Sequence, residues 1–231
     1  MTSPAWLGIG AQRSGTTWFT DLLTQHPQVG LGTNGKKEQQ LLHKVADGVA
    51  PAVDYLDLFP ADHVRRGDWT PHYLRHVTTP ATAARLLAAD VPVLVLLRDP
   101  VERFRSAMRL AATRGRSWPY PVPMNVQTWT GFYADQLAAW SAAVGRERLR
   151  VMVYEQVRRD PQAAVDAVWR ELGVAPQPLQ QVERASGSSS HADWEWPEGL
   201  RDTLQVLYRP QLDRLVADWG LDVSDWTSLT G

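Results

Sequence analysis

Residues 8–18 read GIGAQRSGTTW. They close the apolar run AWLGIG (5–10), which the pattern predicts as a short buried strand. They lead into TTWFTDLLTQHP (16–27), predicted as a helix. Trp18, Phe19, Leu22 and Leu23 share one face of that helix, and Pro27 stops it. A strand, a glycine-rich turn and a helix start together make an anion site. The N–H groups of the first helical turn point outward, and the helix dipole favours negative charge there. Gly10 and Gly15 keep the G-x-x-x-x-G spacing of a phosphate loop, which Lys and then Ser or Thr should follow. Thr16 and Thr17 follow instead, and the cation sits inside the loop at Arg13. Such a loop can cradle an anion, but it lacks the lysine that reaches nucleotide phosphates in the usual way.

Working outward, VPVLVLL (91–97) is an unbroken apolar run bounded by turn signals, as a central parallel strand requires. DPVERFRSAMRLAATR (99–114) then predicts a helix. Asp99 is its N-cap, Pro100 its first residue, and Glu102 completes a capping box. Val101, Phe104, Met108 and Ala111 form its buried stripe, and Arg103, Arg114 and Arg116 are read as a solvated face. Residues 30–50 read as polar loop ending in LLHKVADG. Residues 129–145 read as a helix, 149–155 as a strand, and 160–173 as a helix with an Asp cap and a closing glycine. Residues 199–220 read as a helix kinked at Pro210. Strands alternating with helices predict an α/β fold over 1–231: three layers, with a mainly parallel sheet flanked by helices. Ligands of such sheets bind beyond the carboxyl ends of the strands. The loop after the first strand and the segment around Arg98 both fall there.

Composition narrows the partners. The chain has 231 residues, 44% of them hydrophobic, enough for one sizeable core. Its 24 basic and 25 acidic residues leave a net charge of −1, which argues against nucleic acid or an anionic membrane as partner. Absence of cysteine excludes disulfides, thiolate catalysis and Cys-ligated metals. MTSPAWLGIG lacks the basic region and long apolar stretch of a signal peptide, and no apolar window is long enough to span a membrane. The expectation is a cytoplasmic domain, and oligomeric state is not readable.

RSGTTW after an apolar strand resembles the 5′-phosphosulfate loop of the sulfotransferases that use 3′-phosphoadenosine 5′-phosphosulfate (PAPS), a loop usually written K-[ST]-G-T-T. VLVLLRDPVERFRSAMR (93–109) is similar to the family's 3′-phosphate segment, in which an Arg at the strand end and a Ser eight residues on grip that phosphate; Arg98 and Ser106 have this spacing. Lys37-Glu38 resembles the K-E of a K-E-x-H-F-F segment found in glycan-modifying and many bacterial members. GDWTPHYL (67–74) resembles G-E-K-[ST]-P-x-Y-L, and YEQVRRDP (154–161) resembles Y-E-D-L-x-x-D-P. The resemblance runs over nearly the whole chain and implies a fold like that of P-loop nucleotide kinases.

It also implies roles. Arg13, Ser14, Gly15, Thr16 and Thr17 would bind the 5′-phosphate and sulfate oxygens. Arg98 and Ser106 would bind the 3′-phosphate. Trp18 would stack on adenine and Tyr154 would meet its edge. Glu38 would be the general base for the acceptor hydroxyl, with His72 as second choice because imidazole is poised for proton transfer near neutral pH. Lys37 would help neutralise the moving sulfate. The implied reaction carries a sulfuryl group from PAPS to a hydroxyl of a small-molecule acceptor, leaving 3′,5′-ADP (PAP), with no metal required. Trp118 and Tyr120 in the Pro-rich loop 115–125 are a candidate acceptor wall, and Ser188–Ser190 with Arg184 a candidate late contact to the 3′-phosphate. Three departures stand out: Arg13 for Lys, Gln39-Gln40-Leu41-Leu42 for x-H-F-F, and Trp69 for a lysine. Two other readings stay open, a small-molecule kinase with a degenerate P-loop and a non-catalytic domain that binds PAP or PAPS.

Overall fold

The computed structural model describes residues 3–115, 126–180 and 194–226. Trp118, Tyr120, Arg116, Arg184 and Ser188–Ser190 lie outside them. The chain runs β1 (Trp6–Gly10), α1 (Thr16–Leu23), β2 (Val29–Leu31), α2 (Leu42–Ala46), α3 (Ala52–Leu56), β3 (Arg65–Trp69), a 3₁₀ turn (Tyr73–Arg75) and α4 (Thr79–Leu86). Then come β4 (Val93–Leu97), α5 (Pro100–Thr113), α6 (Val126–Trp129), α7 (Tyr133–Val144), β5 (Leu149–Val153), α8 (Tyr154–Arg159), α9 (Pro161–Glu171) and α10 (Leu200–Trp219).

The five strands form one parallel sheet in the order β2-β3-β1-β4-β5. Period-two alternation distributes each strand between two apolar layers. Leu7, Ile9, Val93, Val95 and Leu97 face a layer that includes Leu137, Trp140, Leu204 and Tyr208 from α7 and α10. Trp6, Trp69, Leu94 and Leu96 face a second layer with Phe19, Leu22 and Trp169 from α1 and α9. This is the expected α/β architecture, helices covering both faces of a buried parallel sheet.

The pairing of β1 with β3 is reciprocal. Trp6 stands opposite Gly67, and Gly8 opposite Trp69. Each indole occupies the space a side chain would need on the neighbouring strand. A Cβ added at Gly8 would lie 2.2 Å from the Trp69 ring, and one at Gly67 would lie 2.2 Å from the Trp6 ring. Trp69, which stands where the resemblance called for a lysine, is therefore a core residue. It is fully buried, with its ring edge-on to Phe19 at 5.6 Å.

Several local expectations need correction. Helix α1 ends at Leu23, short of Pro27, where the Thr20 and Thr24 hydroxyls donate back to the carbonyls of Thr16 and Thr20. The polar stretch 30–50 holds the end of strand β2 and helix α2, and RRGDW (65–69), not foreseen as a strand, is β3. The helix expected over 129–145 is divided into α6 and α7. At the break, a Cβ on Gly131 would sit 2.6 Å from the Tyr208 ring, whose hydroxyl donates to the Thr128 carbonyl at 2.9 Å. Asp99 caps α5 as expected, accepting from the N–H groups of Val101 and Glu102. The capping box is not closed by Glu102: the Asp99 N–H donates to Glu155 Oε1 at 3.3 Å. Arg103 is not on a solvated face. It is fully buried, and its guanidinium donates to the side chain and carbonyl of Gln127, tying α5 to α6.

Gly8→Ala tests the indole exchange. Overpacking of this kind costs about 2 kcal/mol. Urea unfolding is expected to show a lower midpoint with an unchanged slope.

Candidate active site

β1 and β4 are neighbours in the sheet, so the loops leaving their carboxyl ends meet. The first runs from Gly10 to Thr16. Arg13 (φ +70°) and Gly15 (φ +83°) both lie in the left-handed region. For Gly15 that backbone is free of cost, whereas Arg13 holds it at about 1 kcal/mol or more. Gly15 is also where the loop has no room: a Cβ there would meet the Tyr154 ring at 2.5 Å. No side chain caps α1, so the N-terminal end of its dipole faces the loop. Ser14 is fully buried with its hydroxyl against that of Tyr133, and among the described residues the buried amide oxygen of Gln12 has no hydrogen-bond partner. Buried polar atoms left unpaired cost free energy. The uncapped helix start and the close approach at Gly15 fit a loop shaped around a phosphate-like anion.

The second loop presents Arg98 and the start of α5. Arg13 crosses to it, donating from Nε and Nη2 to the Ser106 hydroxyl at 3.2 and 3.1 Å. The two segments singled out in the sequence thus converge through one guanidinium. The Arg98 guanidinium lies over the Tyr154 ring, 5.4 Å from its centroid, a cation–π arrangement. The Arg98 carbonyl accepts from the Tyr133 hydroxyl at 3.0 Å. Trp18 is buried, edge-on to Tyr154 at 6.2 Å. Tyr154 therefore contacts Trp18 and Arg98 and limits the loop at Gly15. Thr16 is buried and Thr17 exposed.

Lys37 and Glu38 come from the segment after β2. The Lys37 ammonium donates to Thr16 Oγ1 at 3.3 Å and pairs with Glu38 Oε1 at 3.1 Å. The Glu38 carboxylate is exposed and also accepts from the Gln40 amide at 3.0 Å. The structure so brings the Lys-Glu pair to the phosphate loop. His72 is placed differently. It sits in a group of three imidazoles with His43 and His76, ring centroids 4.8 to 5.4 Å apart. Its Nδ1 faces Arg75 Nη2 at 2.8 Å. Arginine has only donors, so Nδ1 must accept and the ring proton resides on Nε2. Burial, then the Arg75 charge, push its pKa down to about 4. Among the described residues no group of three His, Asp or Glu could hold a metal ion.

Two carboxyls were not anticipated. Glu155, whose pKa is raised by burial, accepts from the Asp99 N–H through Oε1 and from the Trp226 indole through Oε2 at 2.9 Å. Asp68, at the carboxyl end of β3, is fully buried. Oδ1 accepts from the Thr70 hydroxyl at 2.8 Å and the Gln39 N–H at 3.2 Å, and Oδ2 from the Tyr73 hydroxyl at 2.8 Å. Burial raises its pKa to about 7 against the lowering effect of these hydrogen bonds. Its sequence signal is its place in GDWTPHYL, at the position of the Glu of G-E-K.

Comparison with known proteins agrees with this geometry. The chain is 25% identical over 198 residues to the mouse bifunctional heparan sulfate N-deacetylase/N-sulfotransferase 4, covering 75% of this chain and 22% of that protein. It is 31% identical over 105 residues to the membrane-associated sulfotransferase kil1 of Dictyostelium discoideum, covering 43% and 21%. It thus spans about a fifth of the length of these curated relatives. The crystal structure of a sulfotransferase from Alicyclobacillus acidocaldarius superposes with a TM-score of 0.78 over 98% of this chain and 100% of that one, at 22% identity, and so shares the fold. The family model described as the sulfotransferase domain matches residues 4–190, from the strand before the phosphate loop to well past the Arg98 segment, and the chain belongs to that family.

Proposed function

We propose that this chain transfers a sulfuryl group from PAPS to a hydroxyl of a small-molecule acceptor, releasing PAP. The observation that carries the reading is the convergence of the phosphate loop and the Arg98–Ser106 segment through the Arg13 guanidinium. A mononucleotide carrying only a 5′-phosphate chain gives no use for a second basic segment on the neighbouring strand; a 3′-phosphate does. Bound PAPS supplies an activated sulfuryl group whose leaving group is a phosphate oxygen. The protein's part is positioning and charge stabilisation, as in phosphoryl transfer.

In this proposal Ser14, Gly15, Thr16 and Thr17 bind the 5′-side oxygens through N–H and O–H donors. Arg98 and Ser106 bind the 3′-phosphate, and Arg13 spans both. Trp18 and Tyr154 border the adenine. The cation nearest Thr16 is Lys37, which supports giving it the charge that builds on the moving group. Glu38, beside Lys37, takes the acceptor proton. The His72 ring is held as a donor by Arg75, which supports Glu38 over His72 for this step. No helix among the described residues is long and apolar enough to cross a membrane. A cytoplasmic setting stays part of the proposal, and imaging of the tagged protein in its host checks it.

Calorimetric titration with PAP, ADP and ATP–Mg²⁺ tests the nucleotide assignment. PAP is expected to bind best, adding about 2.7 kcal/mol of stability at a hundred times its Kd. Arg98→Ala should weaken PAP at least tenfold and ADP little. Preference for ATP–Mg²⁺ over PAP would instead favour a kinase. On a panel of hydroxyl acceptors with labelled PAPS, Glu38→Gln is expected to lower kcat by about 10²-fold or more, and His72→Gln by less than tenfold. Tight PAPS binding without turnover by the wild type on any acceptor would leave a binding domain.

A further inference from the structure

The segment from Lys37 to Leu42 has no strand to hold it; it crosses the carboxyl ends of the sheet as irregular chain as far as Leu41 and enters α2 at Leu42. Backbone groups of four of its six residues are nevertheless tied to Asp68 or to a group next to it, while the Gln39 side chain is held separately by Asn34 and the Lys36 carbonyl. The Lys37 carbonyl accepts from the Trp69 N–H at 3.1 Å. The Gln39 N–H donates to Asp68 Oδ1. The Gln40 N–H donates to Thr70 Oγ1 at 3.3 Å, and that hydroxyl donates to Asp68 Oδ1. The Leu42 N–H donates to the Tyr73 hydroxyl at 3.1 Å, and that hydroxyl donates to Asp68 Oδ2. Thr70 and Tyr73 can accept from the segment because their own protons are committed to the carboxylate. Asp68 thus sets the direction of both hydroxyls as well as taking one N–H itself.

The segment carries the Lys37 ammonium onto Thr16 Oγ1 of the phosphate loop. We propose that Asp68 is a positioning residue: its buried carboxylate fixes segment 37–42, and through it the Lys37 ammonium, against the phosphate loop. This rests on the proposed use of PAPS, and it goes further by giving the sulfuryl end of the donor a dedicated support distinct from the Arg98–Ser106 end. A buried carboxylate costs free energy that an apolar residue of similar size would not. Three donors converging on it are the arrangement that keeps it ionised.

Protonation would undo that arrangement. A protonated carboxyl is a donor through one oxygen and a weaker acceptor, so the bond from Tyr73 must reverse or all three must weaken. Burial places this change near neutral pH, with Asp68 at about 7. The groups facing it are Glu38 on the same segment, whose negative charge raises its pKa further, Tyr73 on the 3₁₀ turn and Tyr55 on α3. Both phenols have pKa values pushed above the ordinary one by burial and the Asp68 charge, and they stay neutral across this range. The carboxylate form, which accepts all three hydrogen bonds at full strength, prevails above pH about 7 and gives way as pH falls below it.

The test is a double-mutant cycle on nucleotide binding, which needs no acceptor. Kd is measured calorimetrically for PAPS and for PAP with wild type, Asp68→Asn, Lys37→Ala and the double variant. Asp68→Asn is expected to weaken PAPS at least threefold and to leave PAP within twofold. In the Lys37→Ala background the same change should have no further effect, because the two residues act as one unit. Additive effects, or equal weakening of PAP and PAPS, would overturn the proposal. A pH series from 6 to 8.5 adds a readout that a plain packing role would not move. Relative to Asp68→Asn, the wild-type preference for PAPS over PAP should decline as pH falls through 7, and parallel profiles would count against it. Should Asp68→Asn fail to fold, Tyr73→Phe and Thr70→Val each remove one tie. Each is expected to weaken PAPS selectively, and unchanged PAPS affinity in both sinks the idea. Failure of the wild type to bind either nucleotide overturns the nucleotide assignment itself.

Discussion

The exchange of glycine for indole between β1 and β3 is the constraint on which the site is built. Trp6 fits over Gly67 and Trp69 over Gly8, so the two strands can pair in only one register. A slip by one residue would put indole against backbone with a side chain in the way and would turn buried faces outward. That register fixes where both strands end. The end of β1 is the phosphate loop; the end of β3 is Asp68 and Trp69, whose carboxylate and N–H hold the segment bearing Lys37 and Glu38. The distance between the donor's cradle and the proposed proton acceptor is thereby set in the core.

Charge is distributed around the loops in a way that composition alone hides. The chain is nearly neutral, yet Arg13, Lys37 and Arg98 surround one loop. Lys37 is paired with the exposed Glu38 carboxylate. Arg13 rests on a hydroxyl and Arg98 over an aromatic ring. The Arg98 charge also acts on the Glu155 carboxyl behind the strand end.

The parts of this arrangement that could be read from the sequence are those whose signal is local. The apolar run of β4, the Asp-Pro start of α5 and the G-x-x-x-x-G loop each declare themselves within about ten residues, and all stand where expected. β2 and β3 do not. Three residues of Val-Gly-Leu and the charged Arg-Arg-Gly-Asp-Trp carry no strand pattern; they become strands through pairing with distant partners. Arg103 was misread because it lies in an arginine-rich helix and its partner Gln127 is 24 residues away. Asp68 escaped notice for the same reason: its donors come from Gln39, Thr70 and Tyr73, and burial of the group exists only once they meet. The Lys37–Glu38 pair was legible through family resemblance, while its contact with Thr16 required coordinates.

Glu155 gives the proposed nucleotide end of the site a dependence on Trp226. Its two oxygens join the Asp99 N–H, one residue beyond Arg98, to the buried indole of Trp226. The strand end that presents Arg98 is thus braced from the carboxyl-terminal side of the molecule. In engineering terms Trp226 is a handle on the proposed donor site: a substitution or proteolytic clip that dislodges it reaches Arg98 through the Glu155 carboxylate. Design near Trp226 should spare the indole even where it alters the residues around it.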